Sequence, residues 1–184
     1  MKAILLAIRP EWLVKILNGE KTIEVRKLFP KDYVGWIYLY CSKGKELYKW
    51  SEKVGYFADN YCKKLHHQPF TPKALNGKVV ARFWCDKIEG ILNDFNTKYN
   101  VAICSTVSLF HFEILDKSCL RQNQLTKYLK NKNGFAIHIS KLEIFDRPRE
   151  LREFWNCGKQ VRKGVFNYSI IHKAPQNYCY IEGE

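Results

Sequence analysis

Eight consecutive residues, Gly19-Glu20-Lys21-Thr22-Ile23-Glu24-Val25-Arg26, hold two cations and two carboxylates. A carboxylate within a few ångströms of lysine or arginine is kept in its charged form, and such a cluster suits contact with a phosphate, a base edge or an acyl group. A lysine stripped of solvent titrates lower and becomes a candidate base, with a neighbouring glutamate to take or give protons. Lys21 and Glu24 are therefore the candidate catalytic pair if the protein is an enzyme. The bland alternative is a solvated strand face, on which exposed ion pairs contribute little.

The elements that must position this cluster are legible on either side of it. Arg9-Pro10-Glu11-Trp12-Leu13-Val14-Lys15-Ile16-Leu17-Asn18-Gly19 predicts a short helix: proline suits the first turn, Trp12, Leu13, Ile16 and Leu17 share a face, and Asn18-Gly19 supplies a left-handed stop. Thr22 to Leu28 then alternates with period two. That alternation turns Ile23 and Val25 toward a core and sets Thr22, Glu24 and Arg26 along the other face of a strand. Lys2 to Ile8, Gly35 to Cys41, Gly77 to Cys85, Gly134 to Ile139 and Asn177 to Ile181 read as further strands. Trp36, Tyr38 and Tyr40 form an aromatic stripe that could stack on bases; the reading preferred is a strand covered on both faces. Helices are expected over Lys43 to Tyr56, over Cys119 to Lys130 with Ser118 as cap and Leu125 and Leu129 inward, and over Arg147 to Trp155.

The 184 residues suit a single domain. Lys and Arg number 31 against 18 Asp and Glu, a formal charge of +13, which favours encounters with phosphate backbones. Arg121, Lys127, Lys130 and Lys132 lie in a stretch free of acids between Cys119 and Asn133. Lysine-rich AT-biased coding produces similar excess, so the charge is permissive. Seven scattered cysteines without a C-x-x-C pair read as reduced thiols in a cytoplasmic chain. Cys62 and His66 are the nearest approach to a metal site, yet a structural metal normally takes four ligands, so no metal and no cofactor are expected. No run of about eighteen apolar residues is present, which argues against a membrane partner. His138 and His172 sit in apolar or aromatic segments, where a histidine is more often a hydrogen-bonded core group than a catalyst.

Gly19-x-Lys21-x-x-Glu24-x-Arg26, preceded by Ile8-Arg9-Pro10 and the helix, resembles the G-x-K-x-x-E-x-R signature of the ASCH domain family in the PUA-like superfamily. Residues Gly134 to Leu151 and Ala174 to Glu182 also resemble the longer phage and Gram-positive members. The resemblance covers residues 1 to 42, 77 to 91 and 119 to 182, leaving unmatched inserts near 43–76 and 92–118. It implies an α+β fold, a small PUA-like β-barrel of about five to six mostly antiparallel strands flanked by helices, in one domain spanning 1–184. It further implies a polar cleft between the barrel and the helix that precedes the signature, lined by Lys21, Glu24 and Arg26; Gln176 and Tyr178, in the tail beside the signature strand, are candidates to read a base edge, and Thr22 and Arg9 complete the expected nucleic-acid contacts.

Three functions follow as expectations. One is a nucleic-acid binding module, with RNA as the expected partner, in which cations hold phosphates while the cleft admits an unstacked base. Another is a small hydrolase of a modified nucleoside or RNA using Lys21 and Glu24. The small amidohydrolases with a similar motif carry threonine where Glu24 stands, which puts amide hydrolysis of that kind in doubt. The last is a phage-type protein-interaction factor using the inserts.

Overall fold

The computed structural model describes residues 2–44, 47–49, 57–59, 73–91, 105–130, 132–158, 160–163 and 165–183. Two compact units emerge. The first comprises Met1–Gly19, Gly35–Trp84 and Lys141–Glu184, and the second Glu20–Val34 and Cys85–Ser140.

The first unit is organised by β1 (Lys2–Ile8), which pairs in parallel with β3 (Gly35–Cys41) and antiparallel with β15 (Tyr178–Glu182). Around them, β7 (Val79–Cys85), β10 (Ser140–Arg149), β11 (Trp155–Asn156) and β14 (Ser169–Ile170) complete a mixed seven-stranded sheet in the order β10-β7-β3-β1-β15-β11-β14. The architecture is thus α+β, with more strands than expected. Among the described residues this sheet has two ends and does not close on itself. One face of it carries Ala3, Leu5, Tyr38, Tyr40, Val79 and Ile181, packed with Phe154 and Ile171. Ile4, Leu6, Ile37 and Leu39, which alternate with them, are equally buried, so β3 is covered on both faces and its aromatic stripe is part of the packing. Helix α1 (Pro10–Leu17) forms where predicted, with proline in its first turn and Gly19 at φ +77°. Its buried residues are Pro10, Leu13, Ile16 and Leu17, whereas Trp12 is only half-buried.

Two expected helices give way to strands. The 43–56 stretch contains β4 (Leu47–Lys49), which pairs antiparallel with β5 (Phe57–Asp59) and β6 (Lys73–Ala74). Partners remote in sequence decide strand formation over the local spacing there. Trp50, Val54, Cys62 and His66 lie outside the described residues. Further on, Arg147-Pro148-Arg149 ends the ten-residue β10, and only Leu151–Glu153 turns, as a 3-10 helix. β10 is an edge strand, where a proline's missing N–H breaks no internal ladder.

In the second unit β2 (Ile23–Arg26), β9 (Gly134–His138) and β8 (Ile88–Ile91) form an antiparallel sheet in the order β2-β9-β8. Ile23 stands opposite His138, Glu24 opposite Ile137 and Val25 opposite Ala136. Helices α2 (Ser105–Ser118) and α3 (Gln122–Leu129) supply Ile114, Leu125 and Leu129, which pack with Ile23, Val25, Ile91 and Ala136. Leu125 and Leu129 point inward as predicted. Ser118, however, ends α2 instead of capping α3: Cys119 turns left-handed at φ 55°, and the Arg121 N–H donates to Gln124 Oε1 at 2.9 Å to open α3.

Candidate functional site around Lys21, Glu24 and Arg26

Alternation along β2 sends Ile23 and Val25 to the helix-packed core and Glu24 and Arg26 to the opposite face, which Glu24 shares with Ile137 and Ile88. That face is not solvated. Lys21 is 2 % and Glu24 6 % exposed. Lys21 Nζ lies 3.3 Å from Glu24 Oε2, and Glu24 Oε1 lies 3.0 Å from Arg26 Nε, whose side chain is 11 % exposed. One carboxylate thus bridges two cations, leaving a surplus positive charge in a buried setting.

The surplus is offset by a helix end. Lys21 Nζ donates to the Ser118 carbonyl at 2.8 Å, at the last residue of α2, where the backbone dipoles leave partial negative charge. The Thr22 N–H donates to Lys117 O at 2.9 Å, and the Cys119 thiol donates to Glu20 O at 3.4 Å. Asp116 O and Leu115 O accept from the N–H groups of Cys119 and Leu120, each at 3.0 Å. All four terminal carbonyls of α2, which have no partner within a helix, are thereby satisfied, two of them by the segment that carries the motif. Burial pushes Lys21 below the ordinary lysine value, and Glu24 raises it again only in part.

Of the other residues expected at the cleft, Thr22 alone belongs to the same unit. Thr22 is exposed beside them. Arg9, Gln176 and Tyr178 belong to the first unit: Arg9 is 78 % exposed and 3.9 Å from Glu11, Gln176 is exposed, and Tyr178 packs edge-on against Tyr180 at 6.0 Å. Arg121, Lys127, Lys130 and Lys132 are all exposed on or beside α3, and Lys27 Nζ sits 5.0 Å from the ring centroid of Tyr128, itself 39 % exposed.

A second polar group escaped the sequence reading. His138 Nε2 lies 2.6 Å from Glu89 Oε2, and Lys87 Nζ pairs with Glu89 Oε1. Burial would raise the Glu89 carboxyl, but hydrogen bonds from Lys87 and His138 hold it below the usual carboxylate range. The alternation Lys87-Ile88-Glu89 was the only local sign of it. His138 is thus half-buried and hydrogen-bonded, whereas His172 is exposed, against expectation. Its segment after β14 leaves Ile171 as the buried residue there.

Among the described residues no group of three or more His, Cys, Asp or Glu could hold a metal ion, and no helix is long and apolar enough to cross a membrane.

A mixed sheet with a helix after its first strand, and a small sheet whose first strand is tied to a helix end, define an α+β protein of recognisable type. The fold is that of the ASCH domain. The chain is similar in structure to an ASCH protein from Zymomonas mobilis over 98 % of its own length and 87 % of that protein's, at TM-score 0.55 and 14 % identity. Two variants of that protein, one with tyrosine changed to phenylalanine and one with serine changed to alanine, match at TM-scores 0.55 and 0.56, 13 % and 14 % identity, covering 99 % and 98 % of this chain and 91 % and 88 % of theirs. No family model and no curated protein sequence matches.

Proposed function

We propose that the protein is a cytoplasmic RNA-binding module, a single ASCH/PUA-like domain over residues 1–184. The observation that carries this reading is the exposed, acid-free basic stretch at α3, with Arg121, Lys127, Lys130 and Lys132 beside the Lys27–Tyr128 contact. Cations of this kind hold phosphates, and an exposed ring offers a stacking face to an unpaired base. In the second unit Thr22 is a proposed polar contact to a base, and in the first unit Arg9, Gln176 and Tyr178 are proposed contacts in their own right. Lys21 and Glu24 act by holding the end of α2, and so the start of α3, in place. The test is a titration with short single-stranded RNAs at two salt concentrations. Tight binding that weakens with salt, and weakens further when the four α3-region cations are changed to glutamine, is expected; salt-insensitive binding would remove the proposal, because phosphate contacts release counterions.

The hydrolase reading draws support from one observation, the burial of Lys21 3.3 Å from the Glu24 carboxylate, a setting that lowers the lysine's pKa. With Lys21 2 % exposed, that chemistry requires the Lys21–Ser118 contact to open. RNA or nucleoside turnover that persists unchanged in Lys21→Ala protein would exclude it.

A further inference from the structure

In the second unit β8 is a lightly held strand. Among the described residues it is the outer strand of the β2-β9-β8 sheet, and of its four residues only Ile91 is buried. Gly90 brings no side chain, so at one end the strand is held by the place of Ile91 in the core that includes Ala136 and Ile114. Polar contacts hold the other end. The His138 N–H donates to the Lys87 carbonyl at 3.0 Å, His138 Nε2 lies 2.6 Å from Glu89 Oε2, and Lys87 Nζ pairs with Glu89 Oε1.

The charges around this end decide how it responds to pH. His138 stands opposite Ile23 and Glu89 opposite Ala136, on the face that the helices cover, while Glu24 turns to the other face. From α2 come Glu113 and Lys117, 2.6 Å apart, and Glu113 is near enough to feel both Glu89 and His138. Asp86 is exposed one residue before Lys87. The side chains of His138 and Glu89 are 22 % and 19 % exposed, so water and salt screen their contact only in part. Burial works against the Glu89 carboxylate, but the hydrogen bonds from Lys87 and His138 outweigh it, and Glu89 is ionised throughout the range, about pH 5 to 8, in which a histidine changes charge.

A neutral imidazole keeps its hydrogen bond to Glu89 through the Nε2–H tautomer, and an imidazolium adds an ion pair to that bond. Glu89 then bridges two cations, and the positive charge left over is felt by Glu113 on α2. A single proton thus draws β8 toward β9 and the pair toward α2.

We infer that His138 and Glu89 form a proton-operated clasp on β8, closed in mildly acidic solution and loosened as the imidazole loses its proton. The stabilisation it supplies is present below the histidine range, while Glu89 is still ionised, and is lost as pH rises through that range. The clasp lies within the second unit, and neither RNA nor the Lys21–Ser118 contact takes part in it.

A double-mutant cycle of Glu89→Gln and His138→Gln in the full chain, read by urea unfolding at pH 5.5 and pH 8.0, tests the clasp, because the cycle cancels the titration of groups outside the pair. Expressed as a factor in the unfolding equilibrium constant, the coupling between the two residues is expected to be about three-fold or more larger at pH 5.5, the size of a modest ion pair. The unchanged protein gives a second reading that stands even where a variant fails to fold. In an NMR titration the backbone amides of Lys87, Glu89 and Ile91 should shift with the same midpoint as the His138 ring, and their hydrogen exchange, corrected for intrinsic rate, should slow at the lower pH relative to amides of β1. A coupling equal at both pH values, or β8 amides that neither shift nor gain protection as His138 titrates, would overturn the inference.

Discussion

Lys21 Nζ donates a 2.8 Å hydrogen bond to the carbonyl oxygen of Ser118, 97 residues further along the chain, and so fastens the motif to the C-terminus of a helix. The same ammonium faces Glu24 at 3.3 Å. The lysine of the G-x-K-x-x-E-x-R segment is therefore a helix-end ligand and half of a buried ion pair at once.

Removing that ammonium should be costly. In Lys21→Met protein the Ser118 carbonyl loses its charged donor and Glu24 keeps only Arg26, and breaking a buried pair typically destabilises by about 3–5 kcal/mol. Urea unfolding is expected to show a correspondingly lower midpoint. A midpoint within error of the unchanged protein would mean that the contact contributes nothing to stability.

The depressed titration of Lys21 also predicts a pH dependence. Since the folded state binds this proton less tightly than the unfolded state, the unfolded chain carries more protons between the lowered folded value and the ordinary value of 10.5. Stability from this group therefore rises with pH across that window, is fully present above it, and is lost as pH falls through the folded value. The difference in unfolding free energy between unchanged and Lys21→Met protein should grow as pH approaches 10.5 from below. A difference flat from pH 7 to 11 would contradict the assignment.

Gly134 opens β9 where a side chain has no room. An added Cβ would stand 2.7 Å from Leu129 Cδ2 and 3.1 Å from the Arg26 carbonyl oxygen. Gly134→Ala should then cost about 1–3 kcal/mol, as overpacking does. Thermal melting tests this, and an unchanged or raised melting temperature would show that α3 can shift away from β2 freely.

Three of the thiols should be inert. Burial pushes Cys41 and Cys85 up to about 12 and Cys179 to about 11, leaving almost no thiolate at neutral pH. Native protein treated with iodoacetamide at pH 7.5 and mapped by peptide mass should leave these three unmodified, and all should react after denaturation. Rapid native labelling of Cys41 or Cys85 would show that the central sheet opens readily.

Much of the frame was legible from local pattern. Pro10 and Gly19 bracketed α1 because their backbone preferences act wherever they stand. Period-two runs marked β1, β2, β3, β7, β9 and β15 because one or both faces of each had to be buried. Local pattern failed at Leu47–Lys49 and at Arg147–Arg149, where pairing with distant strands outweighed helical spacing.

For the site, residue types and order alone established that Lys21, Glu24 and Arg26 lie within reach of one another on and beside a single strand, since strand geometry is a short-range property. Tertiary structure decided that the cluster is buried, that Lys21 serves the end of α2, and that Glu89 meets His138. Burial depends on which surfaces cover the strand, and Ser118 and Glu89 lie 97 and 49 residues from their partners. Side chains that far apart meet only after the chain has folded, so no local spacing records the contact, and the same residues read as a solvated row until packing removes the water.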